Sequence, residues 1–280
     1  MDKDIHATKS KDEDKNHGMA YDKSDSESYT SWTMEERIAG DDNMVPFINQ
    51  VVENIATLDS SNVSQVNDVV KSVPKVIFDI GCGAGEVMDY IIKQMKPTLT
   101  GDKIFHGMDL SPSMIEIARK NYYRKSNDNN DVKCLFHIQD MHNLMNVEDH
   151  SVDFMYSCYV FQHSDHIIEL FKHLSTKLKC GGKLTFLMDV IEPRDKSKGF
   201  PSGYLSNKWV PLKLPNVVVM IYGHTLTEWC FALEQAGFTW KVLQNLTPDN
   251  PDGPAPADDG YVYKDDIAIR GFLIDATLIK

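Results

Sequence analysis

Three glycines in five residues, Gly81, Gly83 and Gly85, stand between the apolar run "VIFDI" and apolar residues that recur at helical spacing from Val87 to Met95. Glycine lets the backbone turn tightly and approach a ligand where a Cβ would collide. The helix that follows offers free N–H groups and the positive end of its dipole, which suits an anionic group. Such a loop could hold the phosphates of a dinucleotide, the phosphates of ATP, or a ligand with no phosphate. The phosphate loop of nucleotide hydrolases needs a Lys and a Ser or Thr after its last glycine, and none follows here. The dinucleotide fingerprint needs glycine where this chain has Glu86, and a carboxylate there would face a pyrophosphate.

Two further acids narrow the ligand. Asp109 closes the apolar run "KIFHGMD", where an acid accepts hydrogen bonds from both ribose hydroxyls and argues against a 2′-phosphate. Asp140 closes "VKCLFHIQD", placed to accept from an exocyclic adenine amine, with Met141 packing on the ring. The ligand these residues describe is an adenosine without phosphate and with a charged, amino-acid-like end.

The elements that must position these residues alternate. Short apolar runs at "KVIFDI", "KIFHGMD", "VKCLFHIQD", "SVDFMYSCYVF" and "KLTFLMDVI" are expected to be buried strands, separated by helical patterns. Ser111 is expected to cap "SPSMIEIARKNYY", with Pro112 in its first turn. Ser164 is expected to cap a helix with the face Ile167, Leu170, Phe171, Leu174 and Leu178, stopping at Gly181-Gly182. Thr225 and Glu228 form a capping box ahead of "WCFALEQAGF". Two strands then follow without an intervening helix, "FTWKVLQNL" and "DIAIRGFLIDATLI", and are expected to pair antiparallel. The fold class is therefore α/β: a Rossmann-like, seven-stranded, mostly parallel sheet with helices on both faces and an antiparallel last strand.

Residues 1–30 contain almost no aliphatic side chains and are read as a flexible charged tail. Residues 31–72 form an N-terminal helical cap, its amphipathic helix presenting Val45, Ile48, Val52, Ile55 and Ala56. Residues 73–280 form the main domain, interrupted by a Pro- and aromatic-rich lid insertion at about 192–224 and a Pro-rich acidic loop at 247–265. Net charge is -12, so the basic surface of a nucleic-acid binder is missing, and a small molecule or a protein substrate fits better. The cysteines show no paired spacing, the N-terminus lacks an apolar stretch, and no apolar run reaches the roughly 18 residues of a membrane span. A cytoplasmic protein with reduced thiols, no metal site and no membrane segment is expected, and its oligomeric state is left open.

The set D-I-G-C-G-A-G (Asp79 to Gly85), "HGMDLSPSMIEIARKN", "IQDMHNL", "VDFMYSCYVFQH" and "CGGKLTFL" resembles the class I S-adenosylmethionine-dependent methyltransferases, most closely the branch acting on small molecules. The resemblance runs from about Lys75 to Leu187, with weaker support at "HTLTEWCFALEQAGF". It implies S-adenosylmethionine as cofactor. Asp79, Gly81, Cys82, Gly83 and Gly85 would shape its methionine end, and Asp109 would hold the ribose. Leu110 would pack on adenine, Asp140 and Met141 would meet the base, and Cys158 and Phe161 would line the cofactor where the methyl emerges.

Two histidines lie where a base could act: His163 after the fourth strand and His224 at the end of the insertion, since imidazole titrates in the useful range. Packing or helix capping is the structural alternative for the first, and a surface loop for the second. Tyr204, Trp209 and Tyr222 could wall an acceptor pocket or simply pack the insertion onto the body. Tyr21, Tyr29 and Trp32 could close over the cofactor. The expected activity is methylation of a small molecule on oxygen, nitrogen or carbon. The alternatives are a protein side chain as acceptor, a non-catalytic relative, and, more remotely, a dehydrogenase.

Overall fold

The computed structural model describes residues 34–41, 43–60, 74–95, 103–123, 132–193, 209–213, 218–246 and 267–279. The expected tail at 1–30, the loop at 247–265, and Tyr21, Tyr29, Trp32 and Tyr204 lie outside them. Helices α1 (Met34–Gly40) and α2 (Met44–Ser60) precede strand β1 (Lys75–Ile80). Then follow α3 (Glu86–Met95), β2 (Lys103–Asp109), α4 (Pro112–Tyr123), β3 (Val132–Ile138) and β4 (Val152–Cys158). A 3-10 turn at Phe161–His163 leads to α5 (Ile167–Lys177) and β5 (Leu178–Pro193). The chain continues through β6 (Trp209–Lys213), β7 (Val218–Tyr222), α6 (Leu226–Gln235), β8 (Phe238–Leu246) and β9 (Ile267–Leu278).

Seven strands form one sheet in the order β3-β2-β1-β4-β5-β9-β8, and β6 and β7 pair antiparallel by themselves. β1 to β5 run parallel, while β9 is antiparallel to both β5 and β8. The strand order reverses at β1, which lies between β2 and β4, so the crevice for a ligand opens at the carboxyl ends of these three strands. One face carries α5 and α6 over a core of Phe161, Phe171, Phe186 and Trp229, and the other carries α2, α3 and α4 over Ile77, Phe105, Phe154 and Tyr156. The fold is the Rossmann-like α/β sheet that the alternation of runs implies.

Local differences have physical reasons. The buried face of α2 is Met44, Phe47, Ile48, Val51 and Ile55, whereas Val45 is 46% exposed and Ala56 also faces solvent. The helix turns so that the bulk of Phe47 enters the core beside Tyr156. Helix α5 ends at Lys177, earlier than expected: Leu178 already belongs to β5, and Gly181-Gly182 lie within that strand. There Gly181 has φ +78° and the β4–β5 register shifts, so the glycines make a bulge instead of a helix stop. Ser164 does not cap α5 directly; His166 is its N-cap residue, and Ser164 Oγ accepts from the His166 N–H at 3.1 Å. The Thr225–Glu228 capping box forms as expected, and Gly237, with φ +86°, follows the end of α6.

A buried polar cluster docks α2 onto the sheet. The Asn54 side-chain amide donates to Thr185 Oγ1 and Asp275 Oδ1, both at 2.8 Å, and its oxygen accepts from Lys183 Nζ at 2.7 Å. Thr185 Oγ1 also donates to Asp275 Oδ1. Replacing Asn54 by Ala strips donors from a buried carboxylate, which costs about 1–3 kcal/mol. A urea denaturation midpoint lowered accordingly is the expected result for Asn54→Ala, and an unchanged midpoint would show that this cluster does not anchor the helix.

Candidate cofactor site

The glycine loop is anchored from two sides. The Gly81 and Cys82 N–H groups both donate to the Met108 carbonyl, at 2.8 and 2.9 Å. Asp109, at the end of β2, then reaches across: Oδ2 accepts from Gly83 N–H at 3.0 Å and Oδ1 from Ser111 N–H at 2.8 Å. One carboxylate thus joins the loop after β1 to the start of α4. Each carboxylate oxygen accepts more than one hydrogen bond, so capacity remains for a pair of ligand hydroxyls. Burial raises the pKa of Asp109, while its backbone donors from Ser111 and Gly83 pull it down. Tyr122 of α4 donates its hydroxyl to the Gly85 carbonyl at 2.7 Å, fixing the far end of the loop.

The three loop glycines are required for different reasons. All have positive φ, +73°, +53° and +81° in order. A Cβ on Gly81 would lie 2.3 Å from Val160 Cγ2, and one on Gly85 would press on Tyr122 and Phe136. Only at Gly83 would an added Cβ meet nothing within 4 Å. Two glycines therefore admit neighbouring side chains, and Gly83 alone borders open space.

Asp79 lies directly beneath. It is 2% exposed, and its Oδ2 is buried without a well-formed hydrogen bond among the described residues. Burial, with the nearby Asp109 charge adding to it, pushes its pKa up to about 8, and the neighbouring Tyr156 hydroxyl acts in the opposite direction. The buried carboxyl and the open space at Gly83 fit a ligand that brings a cationic amine to this end of the crevice. Asp140 stands in a turn beyond β3, its Oδ1 accepting from His142 N–H at 2.9 Å. Leu110, which follows Asp109 at the end of β2, is half-buried, and Met141 is buried in the core cluster that also holds Met108 and Leu144. Cys82 is buried and its thiol donates to the Gly83 carbonyl.

On the other side of the crevice the placements differ from expectation. Phe161 is 1% exposed and packs edge-on against Phe171 and Phe186, so its ring is part of the core on that face. β4 stops at Cys158 because Tyr159 adopts φ +56°. Cys158 turns its thiol to Met44 Sδ of α2 at 3.5 Å. His163 hydrogen-bonds the Met220 carbonyl through Nδ1 at 2.7 Å. A carbonyl only accepts, so the proton is on Nδ1 and Nε2 keeps its lone pair. Burial lowers the pKa of this ring, which favours that neutral form. His224 is buried against Trp229 and Tyr222, and its Nε2 donates to the Ser164 carbonyl at 2.8 Å. It is not a surface residue; it braces the turn before α5. Trp209 and Tyr222 pair across β6 and β7 with rings 5.3 Å apart.

Several contributors have no signal in the sequence. Arg37 of α1 forms a 2.8 Å ion pair with Glu86 at the first turn of α3. Asn43, between α1 and α2, donates to the Tyr159 hydroxyl at 2.9 Å. Tyr156 lies beside Asp79 in the β1–β4 register. Each depends on elements distant in sequence.

Residues 78–186 match the family model described as the methyltransferase domain. Among solved structures, the chain is similar to an S-adenosylmethionine-dependent methyltransferase of Methanosarcina mazei, at 17% identity and a TM-score of 0.53 over 74% of this chain and 93% of that one. It is also similar to a putative S-adenosylmethionine-dependent methyltransferase of Listeria monocytogenes, at 20% identity and a TM-score of 0.50 over 74% and 90%. Phosphoethanolamine N-methyltransferase 2 of Haemonchus contortus aligns at 20% identity and a TM-score of 0.51, over 81% of this chain but 52% of that one. No curated protein matches the chain in sequence. The match over residues 78–186 and the order of the seven-stranded sheet make the chain similar to S-adenosylmethionine-dependent methyltransferases of this fold.

Two outcomes follow from the geometry. Gly81→Ala, which drives a methyl group into Val160, is expected to destabilise the fold, whereas Gly83→Ala costs only the left-handed backbone, about 1–2 kcal/mol. If the space at Gly83 is where ligand lies, Gly83→Ala loses affinity for S-adenosylhomocysteine well beyond its loss of stability; calorimetry and thermal melting on the two variants separate these. For Asp79, the folded pKa of about 8 exceeds the unfolded value of 3.8, so its contribution is intact below pH 3.8 and is lost as pH rises through 8. Asp79→Asn removes that loss. The variant's melting temperature should rise relative to wild type between pH 4 and pH 8, and a difference independent of pH would refute the assignment.

Proposed function

We propose that the enzyme transfers the methyl group of S-adenosylmethionine to a small-molecule acceptor held at the carboxyl ends of β4 and β5, beneath the α1–α2 connection. The observation that carries this reading is the buried Asp79 carboxyl, whose Oδ2 has no well-formed hydrogen bond among the described residues, at the foot of a loop whose one open glycine is Gly83. When bound, the cofactor supplies an electrophilic methyl on a sulfonium. Asp79, Gly81, Cys82, Gly83 and Gly85 seat its methionine end, Asp109 takes the ribose hydroxyls, and Leu110, Asp140 and Met141 flank the base. Cys158 stands toward the acceptor side. The protein's work is then orientation and exclusion of water.

His163 is the residue we assign to proton removal from the acceptor. Its Nδ1–H is committed to a backbone carbonyl, which orients the ring and leaves Nε2 basic. Trp209 and Tyr222, with Tyr204 from the same segment, are assigned to the acceptor wall. A small acceptor is supported by the acidic chain and by the Haemonchus contortus protein, which is a phosphoethanolamine N-methyltransferase. The same net charge of -12 would suit a basic protein as acceptor.

The test uses methyl-labelled cofactor, the full chain and a cell lysate separated by size. Label in the low-mass fraction supports the reading, and label confined to protein replaces it with side-chain methylation. Asp109→Ala, which removes both the loop clamp and the ribose acceptor, is expected to reduce S-adenosylhomocysteine affinity by at least a hundredfold; wild-type affinity would overturn the site.

A further inference from the structure

We propose that Asp79 and Tyr156 form a proton-coupled seat for the cofactor's ammonium group: the empty protein carries a proton on the Asp79 carboxyl, cofactor binding expels it, and Tyr156 is the positioning residue that holds the ionised form. The proposal rests on the assignment of Asp79 to the methionine end of the cofactor.

The two residues are neighbours by construction. Asp79 and Tyr156 are register partners on β1 and β4, so their side chains rise side by side from the same face of the sheet. Asp79 is 2% exposed and Tyr156 0%. Asp79 Oδ2 and Tyr156 Oη are both buried without a hydrogen bond of good geometry, although the hydroxyl is near enough to act on the carboxyl. The two groups face one another without a well-formed hydrogen bond, so the carboxyl can still take a stronger donor.

The surrounding groups do not supply a counter-charge. Asp109 at the end of β2 is itself a carboxylate and opposes ionisation of Asp79. Cys82 in the loop directs its thiol to the Gly83 carbonyl, Tyr122 of α4 directs its hydroxyl to the Gly85 carbonyl, and Cys158 of β4 directs its thiol to Met44. Arg37, whose charge is felt at Cys158, is paired with Glu86. Among the described residues Asp79 enters no ion pair. A buried carboxylate left in that setting is costly, so it takes up a proton instead. The pKa of about 8 expresses the same balance.

The exchange balances simply. A ligand ammonium arrives, the carboxylic acid releases one proton to solvent, and the carboxylate accepts from the ammonium. Tyr156 then donates its hydroxyl to the same carboxylate and offsets part of the burial cost. Affinity below the pKa of Asp79 should therefore climb about tenfold for each pH unit.

Isothermal titration of the full chain with S-adenosylhomocysteine, between pH 5.5 and 7.5 and in buffers of different ionisation enthalpy, reads this directly. The expected result is close to one proton released per ligand, with affinity rising across the range. Tyr156→Phe keeps the ring and loses the hydroxyl. It should retain the proton release and bind severalfold more weakly at pH 7, whereas wild-type affinity in this variant would overturn its positioning role. Asp79→Asn should release no proton and bind with weak, pH-independent affinity. Wild-type protein that binds without proton release and with flat affinity overturns the proposal. Absence of binding at every pH would instead overturn the cofactor site itself, so the two failures are distinct.

Discussion

The Asp109 carboxylate is the joint on which the site depends. Its two oxygens each accept one backbone N–H, from Gly83 and from Ser111, and so fix the glycine loop to the end of β2 and the start of α4. Without it, the start of the loop would keep the two bonds from Gly81 and Cys82 to the Met108 carbonyl and its far end the bond from Tyr122, but Gly83 would lose its anchor to β2. A charged acceptor on backbone donors is a strong hydrogen bond, and its partial burial strengthens it further. The same placement leaves the carboxylate facing the crevice at the point where the strand order reverses.

Above this joint, the N-terminal helices make the crevice a partly enclosed space. Asn54 ties α2 to Thr185 and Asp275 in the sheet, so the helix is a fixed layer of the core. From that base its N-terminal end reaches the site through Met44 on Cys158 and Asn43 on Tyr159, and α1 adds the Arg37–Glu86 pair. Gly271 in β9 leaves the room that Asn43 occupies, since a Cβ there would come within 2.6 Å of its amide nitrogen. The opposite face serves support. Phe161, Phe171, Phe186 and Trp229 pack there, and His224 ties the segment before α6 to the Ser164 carbonyl.

Much of this was legible in the residues. The alternation of apolar runs and helical patterns implied the parallel sheet, and the glycine loop between Asp79 and Glu86, with Asp109 and Asp140 behind the next strands, implied a phosphate-free adenosyl ligand. These features are local: a strand, a turn and an acid at a strand end are written within a few residues of each other. The differences were of another kind. Phe161 follows β4, and the chain turns at Tyr159 and packs that ring against Phe171 and Phe186. The α2 stripe was displaced toward Val45 and Ala56 because two apolar stripes compete on that helix, and only the sheet beneath selects between them. Gly181-Gly182 read as a helix stop, although they serve a strand bulge.

The sequence by itself determined the class of fold, the order of its elements and the chemistry of the methyl donor, because each rests on short-range patterns of residue type. Tertiary structure decided which groups meet across the crevice. Asp79 acquires its raised pKa only when the core closes over it and β2 brings Asp109 near. His224 becomes a brace only when Trp229 and the Ser164 carbonyl are brought to it. Burial and contact between distant segments set these properties, and neither is encoded at any single position in the chain.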